Sequence, residues 1–538
     1  MSQSSAPDAG ATTIARPVVQ TQYGAIRGVA ADGVATFLGV RYAASTVGRR
    51  FQRAAAPEPW ADVADASQYG AISPQHPRLR AMAPLGPAGP PTESEDMLTV
   101  NVWASADLSG AKAVLVWAHG GAWFIGSSAM APTTMEGSQL AKNHDLVVVS
   151  FNHRLGVLGF LDLGGVTDAP EFADAGNLGA LDMIEVLRWV RENIASFGGD
   201  PNNVTIAGCS GGGQKVDTLL GMPAARGLFH KAIVQSRDEW CGLDPAVAKV
   251  SALKVLAALD ITPDRVSDIL SVPLDRLMAA AEASGAIFGP VIDGRVLPGH
   301  PFGPVAVSWN KDVPLLIGCT SDEQTTLLGM SGENLFGLSW EALEAMLVPD
   351  RPDTNTADVI AAFREIDPSA SASDLLFRIT TWSRIRWGSR AQAETKIQSG
   401  CAPVFHYELV WAPPTRGGLL KAFHGMDVPL MFDNFQNAVE SHGNDETGKR
   451  LAREMSGAWA AFAKTGSPNG AGLPRWEPYD IAERRTLVYG NTTQLVSDYA
   501  GDEQRVMERF GSVASNVPTY GSPPDPNWRL FVYTGPKA

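Results

Sequence analysis

The chain has 538 residues, 45% of them hydrophobic and 19% charged, which is enough apolar material for a sizeable core and far from a disordered composition. Its 43 Lys and Arg against 57 Asp and Glu leave a net charge of −14, which argues against nucleic acid and anionic membranes as partners. Four cysteines (Cys209, Cys241, Cys319 and Cys401), none in a CxxC pair, are too few for a disulfide scaffold and speak against a structural zinc site.

Residues 1–18 read as a flexible polar tail with no basic region and no apolar run, so a cytoplasmic location is expected. A leader removed from the natural chain would make that location periplasmic or secreted. No stretch of about 18 apolar residues is present, so no membrane span is expected. From Tyr23 to about Val40, short apolar runs alternate with Gly and suit a β-ribbon. Residues 70–95, rich in Pro, Gly and Ala, read as a long loop.

The core pattern begins at Ala113–Trp117, an apolar run closed by His119-Gly120-Gly121, and continues at Leu146–Phe151, closed by Asn152-His153-Arg154. Continuous apolar runs of this length fit strands buried on both faces of a parallel sheet. Leu181, Ile184, Leu187 and Ile194 recur at helical spacing and stop at Phe197-Gly198-Gly199-Asp200-Pro201. Further strands are predicted at Val204–Ala207, Ala232–Gln235, Pro314–Gly318 and Val404–Leu409. Alternation of strands and helices on this scale predicts a large, mostly parallel α/β sheet flanked by helices. Two Ala-rich helical stretches, 244–310 and 330–400, read as insertions that wall or cap a site.

The chemistry gathers around Gly208-Cys209-Ser210-Gly211-Gly212. A G-x-S-x-G pattern is weak alone, and a Gly-rich structural turn can produce it. Here a strand leads in and a helix leads out, the context in which a serine sits on a sharp turn with its hydroxyl exposed. His119-Gly120-Gly121-Ala122-Trp123 also follows a strand, and such a loop offers backbone N–H groups to an oxyanion.

Taken with Ser94-Glu95-Asp96-Met97-Leu98-Thr99-Val100-Asn101-Val102, Asn152-His153-Arg154-Leu155-Gly156 and Gly466-Ser467-Pro468-Asn469, these motifs resemble the type B carboxylesterase (cholinesterase-like) family of α/β-hydrolases, in family order from about residue 19 to 510. The resemblance implies one α/β-hydrolase domain over 19–538 and a Ser-Glu-His triad. Ser210 matches the nucleophile. Glu323, in Gly318-Cys319-Thr320-Ser321-Asp322-Glu323, matches the acid, with Asp322 as local competitor. His424, in Phe423-His424-Gly425-Met426-Asp427, matches the base, with His442 as rival. Gly121, Ala122 and Gly211 match the oxyanion hole. Ser236 maps beside the triad, and Arg154 with Asp182 maps to a buried ion pair.

Several positions depart from the family pattern. Cys209 stands where Glu is common, Gly211 where Ala is usual, Ala122 for a third Gly, Arg237 and Gln324 for Gly, and Met97 for a disulfide cysteine of secreted members. No Trp lies in 70–95, where cholinesterases hold choline. None of these changes removes a catalytic group.

The resemblance therefore implies a serine carboxylester hydrolase that forms an acyl-enzyme on small-molecule esters and needs no metal or organic cofactor. The oxyanion loop, of the family's GGGX kind, predicts room for bulky, mainly uncharged esters. Trp123, Phe124 and Cys209 are candidates for the pocket, although the two aromatics suit a core equally well. A carbamate or amide hydrolase or an acyltransferase would use the same triad. A non-catalytic binding protein of this family would have lost the serine that this chain keeps. A histidine base predicts activity that falls as pH drops through about 6 to 7. The sequence carries no signal that separates monomer from dimer.

Overall fold

The computed structural model describes residues 15–75, 91–129, 135–237, 242–301, 308–329, 334–400, 402–470 and 472–515. Residues 1–14, most of the expected loop at 70–95, Cys241 and Cys401 lie outside the described residues.

An 11-stranded sheet organises the fold. Its strands are β1 (Val29–Ala31), β2 (Val34–Arg41), β3 (Thr99–Ser105), β4 (Lys112–Ala118), β5 (Val147–Phe151), β6 (Gly199–Cys209), β7 (Lys231–Gln235), β8 (Leu315–Thr320), β9 (Val404–Leu409), β10 (Thr486–Tyr489) and β11 (Gln494–Val496). Across the sheet they run β11-β10-β9-β8-β7-β6-β4-β5-β3-β2-β1. From β10 to β5 every neighbouring pair is parallel. The β1–β3 edge and β11 are antiparallel.

The parallel strands are covered on both faces, as their unbroken apolar runs require. Val114 and Val116 of β4 enter one core cluster, with α1 (Leu178–Asn193) and α2 (Gly211–Gly221). Ala113, Leu115 and Trp117 enter the other, with α3 (Glu446–Thr465). This is the period-2 alternation of a strand buried on both sides.

Two boundaries differ from the sequence reading. Ala15 pairs with Ala30, the Arg16 guanidinium donates to the Gly28 carbonyl and to Asp65, and a strand runs over Val18–Gln20. Residues 15–18 therefore belong to the folded body and not to a tail. β6 begins at Gly199, ahead of the expected Val204, because Gly199 pairs with Lys112 of β4 before a register shift after which pairing resumes at Val204.

The first insertion carries helices at Pro245–Ala258 and Leu274–Ala283, which join the first cluster. Helices of the second, including Thr356–Ile366, Ala372–Thr381 and Trp387–Gln398, lie between β8 and β9. Phe363, Leu375, Leu376 and Trp382 form a third cluster with Met507 and Val513.

Candidate active site

Four adjacent parallel strands, β6, β7, β8 and β9, end at one edge of the sheet, and each end delivers part of the site. Ser210 follows β6 directly. It has φ 59° and ψ −125°, an uncommon conformation for a non-glycine residue, and α2 begins at the next residue. The turn is this sharp because glycines allow the surrounding chain to close in. A Cβ on Gly212 would lie 2.1 Å from the Ala118 carbonyl oxygen, and one on Gly211 would lie 2.1 Å from the Ala122 nitrogen. The Ser210 N–H donates to the Gln235 carbonyl at the end of β7.

Glu323, past the end of β8, is fully buried. One carboxylate oxygen accepts the Thr320 N–H at 2.7 Å, and the other is bonded to His424 Nδ1. Burial works against the charged form of the His424 ring, but the adjoining Glu323 carboxylate outweighs it and raises the pKa above 6.5. Asp322 differs: it is half-buried, and its carboxylate is taken by the Ser321 hydroxyl. His442 is pinned at both ring nitrogens. Nε2 donates to the Met426 carbonyl at 2.8 Å and Nδ1 accepts from the Ser441 hydroxyl at 2.7 Å, among Trp411, Phe423 and Phe435.

Among the described residues no direct hydrogen bond joins the Ser210 hydroxyl to His424. Catalytic contacts of this kind commonly tighten only around substrate. The two loops are tied through Gln235, whose side-chain amide donates to buried Asp427, three residues past His424. Asp427 also accepts from the Tyr407 hydroxyl at 2.6 Å. Gln235 and Tyr407 carry no catalytic signature in the sequence. Only the parallel register places them beside the histidine loop.

The loop from His119 to Ala122 lies against the Ser210 turn, and all four of its carbonyl oxygens are occupied within the protein. His119 Nδ1 donates to the Gly120 carbonyl at 2.7 Å, and the Ile125 N–H to that of Gly121 at 3.1 Å. Lys215 Nζ donates to the carbonyls of His119 and Ala122 at 3.0 and 2.7 Å. Among the described residues no acceptor takes the N–H of Gly121 or Ala122, and Gly211 opens α2, where an N–H has no partner within the helix. Lys215, fully buried, escaped the sequence reading because a lysine in a helix ordinarily faces water.

Of the supporting residues, Arg154 and Asp182 form a buried two-pronged ion pair, at 2.8 Å from Nε and 2.6 Å to the second oxygen. Ser236 is buried with φ 48° after β7, and its N–H donates to the Gly318 carbonyl. Met97 is fully buried in the core. Two pocket candidates need correction. Trp123 is 1% exposed, packed edge-on to Phe160, and Cys209 lies in the second core cluster. Phe124 is partly buried against the first cluster.

The profile of the carboxylesterase family matches residues 15–506. The chain is 34% identical to the para-nitrobenzyl esterase of Bacillus subtilis (strain 168) over 501 residues, 91% of this chain and 98% of that protein. It is 30% identical to the phenmedipham hydrolase of Pseudarthrobacter oxydans, across 89% and 96% of the two chains. A solved carboxylesterase from Geobacillus stearothermophilus superposes with a TM-score of 0.78 at 34% identity, over 91% of this chain and 99% of that one.

Proposed function

The chain belongs to the carboxylesterase family and is an ester hydrolase with the α/β-hydrolase fold; from that premise we propose that Ser210, His424 and Glu323 cleave bulky, mainly uncharged carboxylic esters through an acyl-enzyme. Glu323 on Nδ1 keeps the imidazole in the tautomer whose Nε2 is the base. Nε2 takes the Ser210 proton as Oγ attacks the ester carbonyl. The negative oxygen of the tetrahedral intermediate then takes hydrogen bonds from the N–H groups of Gly121, Ala122 and Gly211. Collapse expels the alcohol, which receives the proton from Nε2. Water, deprotonated by His424 in turn, releases the acid and restores Ser210.

The observation that carries the nucleophile assignment is the Glu323–His424 pair, tied through Asp427 and Gln235 to a serine held at a positive φ. The bulky-ester reading is supported by the four oxyanion-loop carbonyls, each engaged within the protein and so withdrawn from the alcohol side. The similarity to a para-nitrobenzyl esterase agrees with an uncharged alcohol part. No helix among the described residues is long and apolar enough to cross a membrane.

The test compares kcat/KM for tert-butyl acetate and acetylcholine, two esters of one acid, with Ser210→Ala as control. A preference for the uncharged ester is expected, and a preference for choline overturns the pocket reading. Ser210→Ala should lower kcat by roughly 10⁴-fold with the fold intact, and activity within tenfold of the parent overturns the nucleophile.

A further inference from the structure

Lys215 sits five residues after Ser210 on α2 and is fully buried. A buried ammonium normally has a carboxylate partner, because its desolvation is costly. Lys215 has none among the described residues. Its hydrogen bonds go to two neutral carbonyls, those of His119 and Ala122, and its charge stands 5.4 Å over the Trp123 ring. The titratable groups near it are the stacked rings of His119 and His153, 5.3 Å apart, which burial holds neutral and which therefore cannot balance it. A charge kept at such cost needs a reason in what it holds.

What it holds is the oxyanion loop, by both ends. Its two acceptors are the first and fourth residues of the four-residue segment. Lys215 holds the His119 carbonyl at one end of the segment, and among the described residues no acceptor takes the Ala122 N–H at the other. Its second bond fixes the Ala122 carbonyl and helps to hold Ala122 at φ 49°, a left-handed conformation that alanine adopts at some cost. The same ammonium brings positive charge close behind donors that will face a negative oxygen.

The geometry points to Lys215 as a positioning residue of the ester hydrolysis, one that reserves the Ala122 N–H for the transition-state oxyanion. This assignment rests on the serine-hydrolase reading of Ser210. Burial pushes the lysine down to about 7, so charge on the amine is sustained near neutral pH only against desolvation, while either protonation state keeps enough N–H donors for both carbonyls.

The experiment uses the full chain with Lys215→Met, similar in length and apolar, and Lys215→Gln, neutral with a donor amide. Rates are normalised to serines labelled at end point by a fluorophosphonate. Per labelled site, kcat should fall by roughly 10- to 100-fold in Lys215→Met, in the range for weakening an oxyanion donor, with KM within about threefold. Affinity for a trifluoromethyl ketone, whose serine adduct carries the oxyanion, should fall in proportion, and affinity for the matching methyl ketone should not. Lys215→Gln should lie between Lys215→Met and the parent. The assignment is overturned by kcat within threefold of the parent, by a loss carried in KM, or by unchanged trifluoromethyl-ketone affinity. Failure of both variants to fold makes the lysine a determinant of the fold and overturns it as well. Ser210→Ala separates the two layers: an active Ser210→Ala refutes the serine-hydrolase reading itself, whereas an inactive one beside an unimpaired Lys215→Met refutes only the role of the lysine.

Discussion

His424 and His442 show how environment, more than identity, divides two histidines of one loop region. His424 has one ring nitrogen on a buried carboxylate and the other without a hydrogen-bond partner among the described residues, while both nitrogens of His442 are spent on structure. His424→Ala should therefore lower kcat about as far as losing Ser210, and His442→Ala should cost little; steady-state rates on a chromogenic ester check both. Glu323→Gln should cost orders of magnitude and Asp322→Asn almost nothing, since only Glu323 meets the imidazole. The pH profile follows from the raised His424 value. The base must be neutral, so kcat/KM should fall as pH drops through a point above 6.5, at the upper side of the range expected for a free histidine. The linkage for stability has the opposite sense. A raised folded pKa stabilises the fold fully below the unfolded value and is lost as pH rises through the folded one. The activity midpoint is read from initial rates between pH 5 and 9, and a midpoint well below 6.5 would contradict the Glu323 pairing.

At the scale of elements, the strand–turn–helix around Ser210 works as one piece with the loop after β4. The usual family alanine after the serine is Gly211 here, and the usual third glycine of the loop is Ala122. The two departures are coupled, because a Cβ on Gly211 would meet the Ala122 backbone nitrogen at 2.1 Å and its Cα at 2.4 Å. Gly211→Ala alone should lower kcat by about tenfold or more by pushing the loop off the nucleophile. Ala122→Gly, which frees that residue to move, should restore much of the loss when combined with it. A double-mutant cycle on kcat/KM measures the coupling, and strict additivity would show the two positions to be independent.

What was legible in the sequence follows the same physics. Ala113–Trp117 was readable because a strand buried on both faces needs an unbroken apolar run. Ser210, Glu323 and His424 could be proposed from the sequence because their neighbours repeat a family pattern around them. The start of β6 was not readable, since Asp200-Pro201-Asn202-Asn203 has the composition of a turn and forms the register shift between the paired residues Gly199 and Val204. The burial of Lys215 was not, because it depends on which loop folds over the side chain, and for Trp123 the sequence left pocket wall and core equally open.

Across the whole molecule, Arg154 joins parts that are distant in sequence. Its guanidinium holds Asp182 on α1 and the Gln52 carbonyl near the N-terminal edge, with Arg154 2% and Asp182 0% exposed. Arg154→Met should destabilise the fold by about 3–5 kcal/mol, because it leaves a buried carboxylate without its partner. Adding Asp182→Leu should recover most of that. Midpoints of urea unfolding for both variants test this, and a single variant as stable as the parent would mean that the pair contributes nothing.

The third apolar cluster has a consequence for motion. Phe363, Leu375, Leu376 and Trp382 pack with Met507 and Val513, while the sheet fills two clusters of its own. A group of helices that satisfies its own apolar faces can open as a cooperative unit at a free energy below that of global unfolding. The Gln324 N–H donates to the Thr381 hydroxyl of this group, one residue past Glu323. In native-state hydrogen exchange the amides of Thr356–Ile366 and Ala372–Thr381 should then share one opening free energy, below that of β6 to β8, and the triad would have one member bordering a separately breathing foldon.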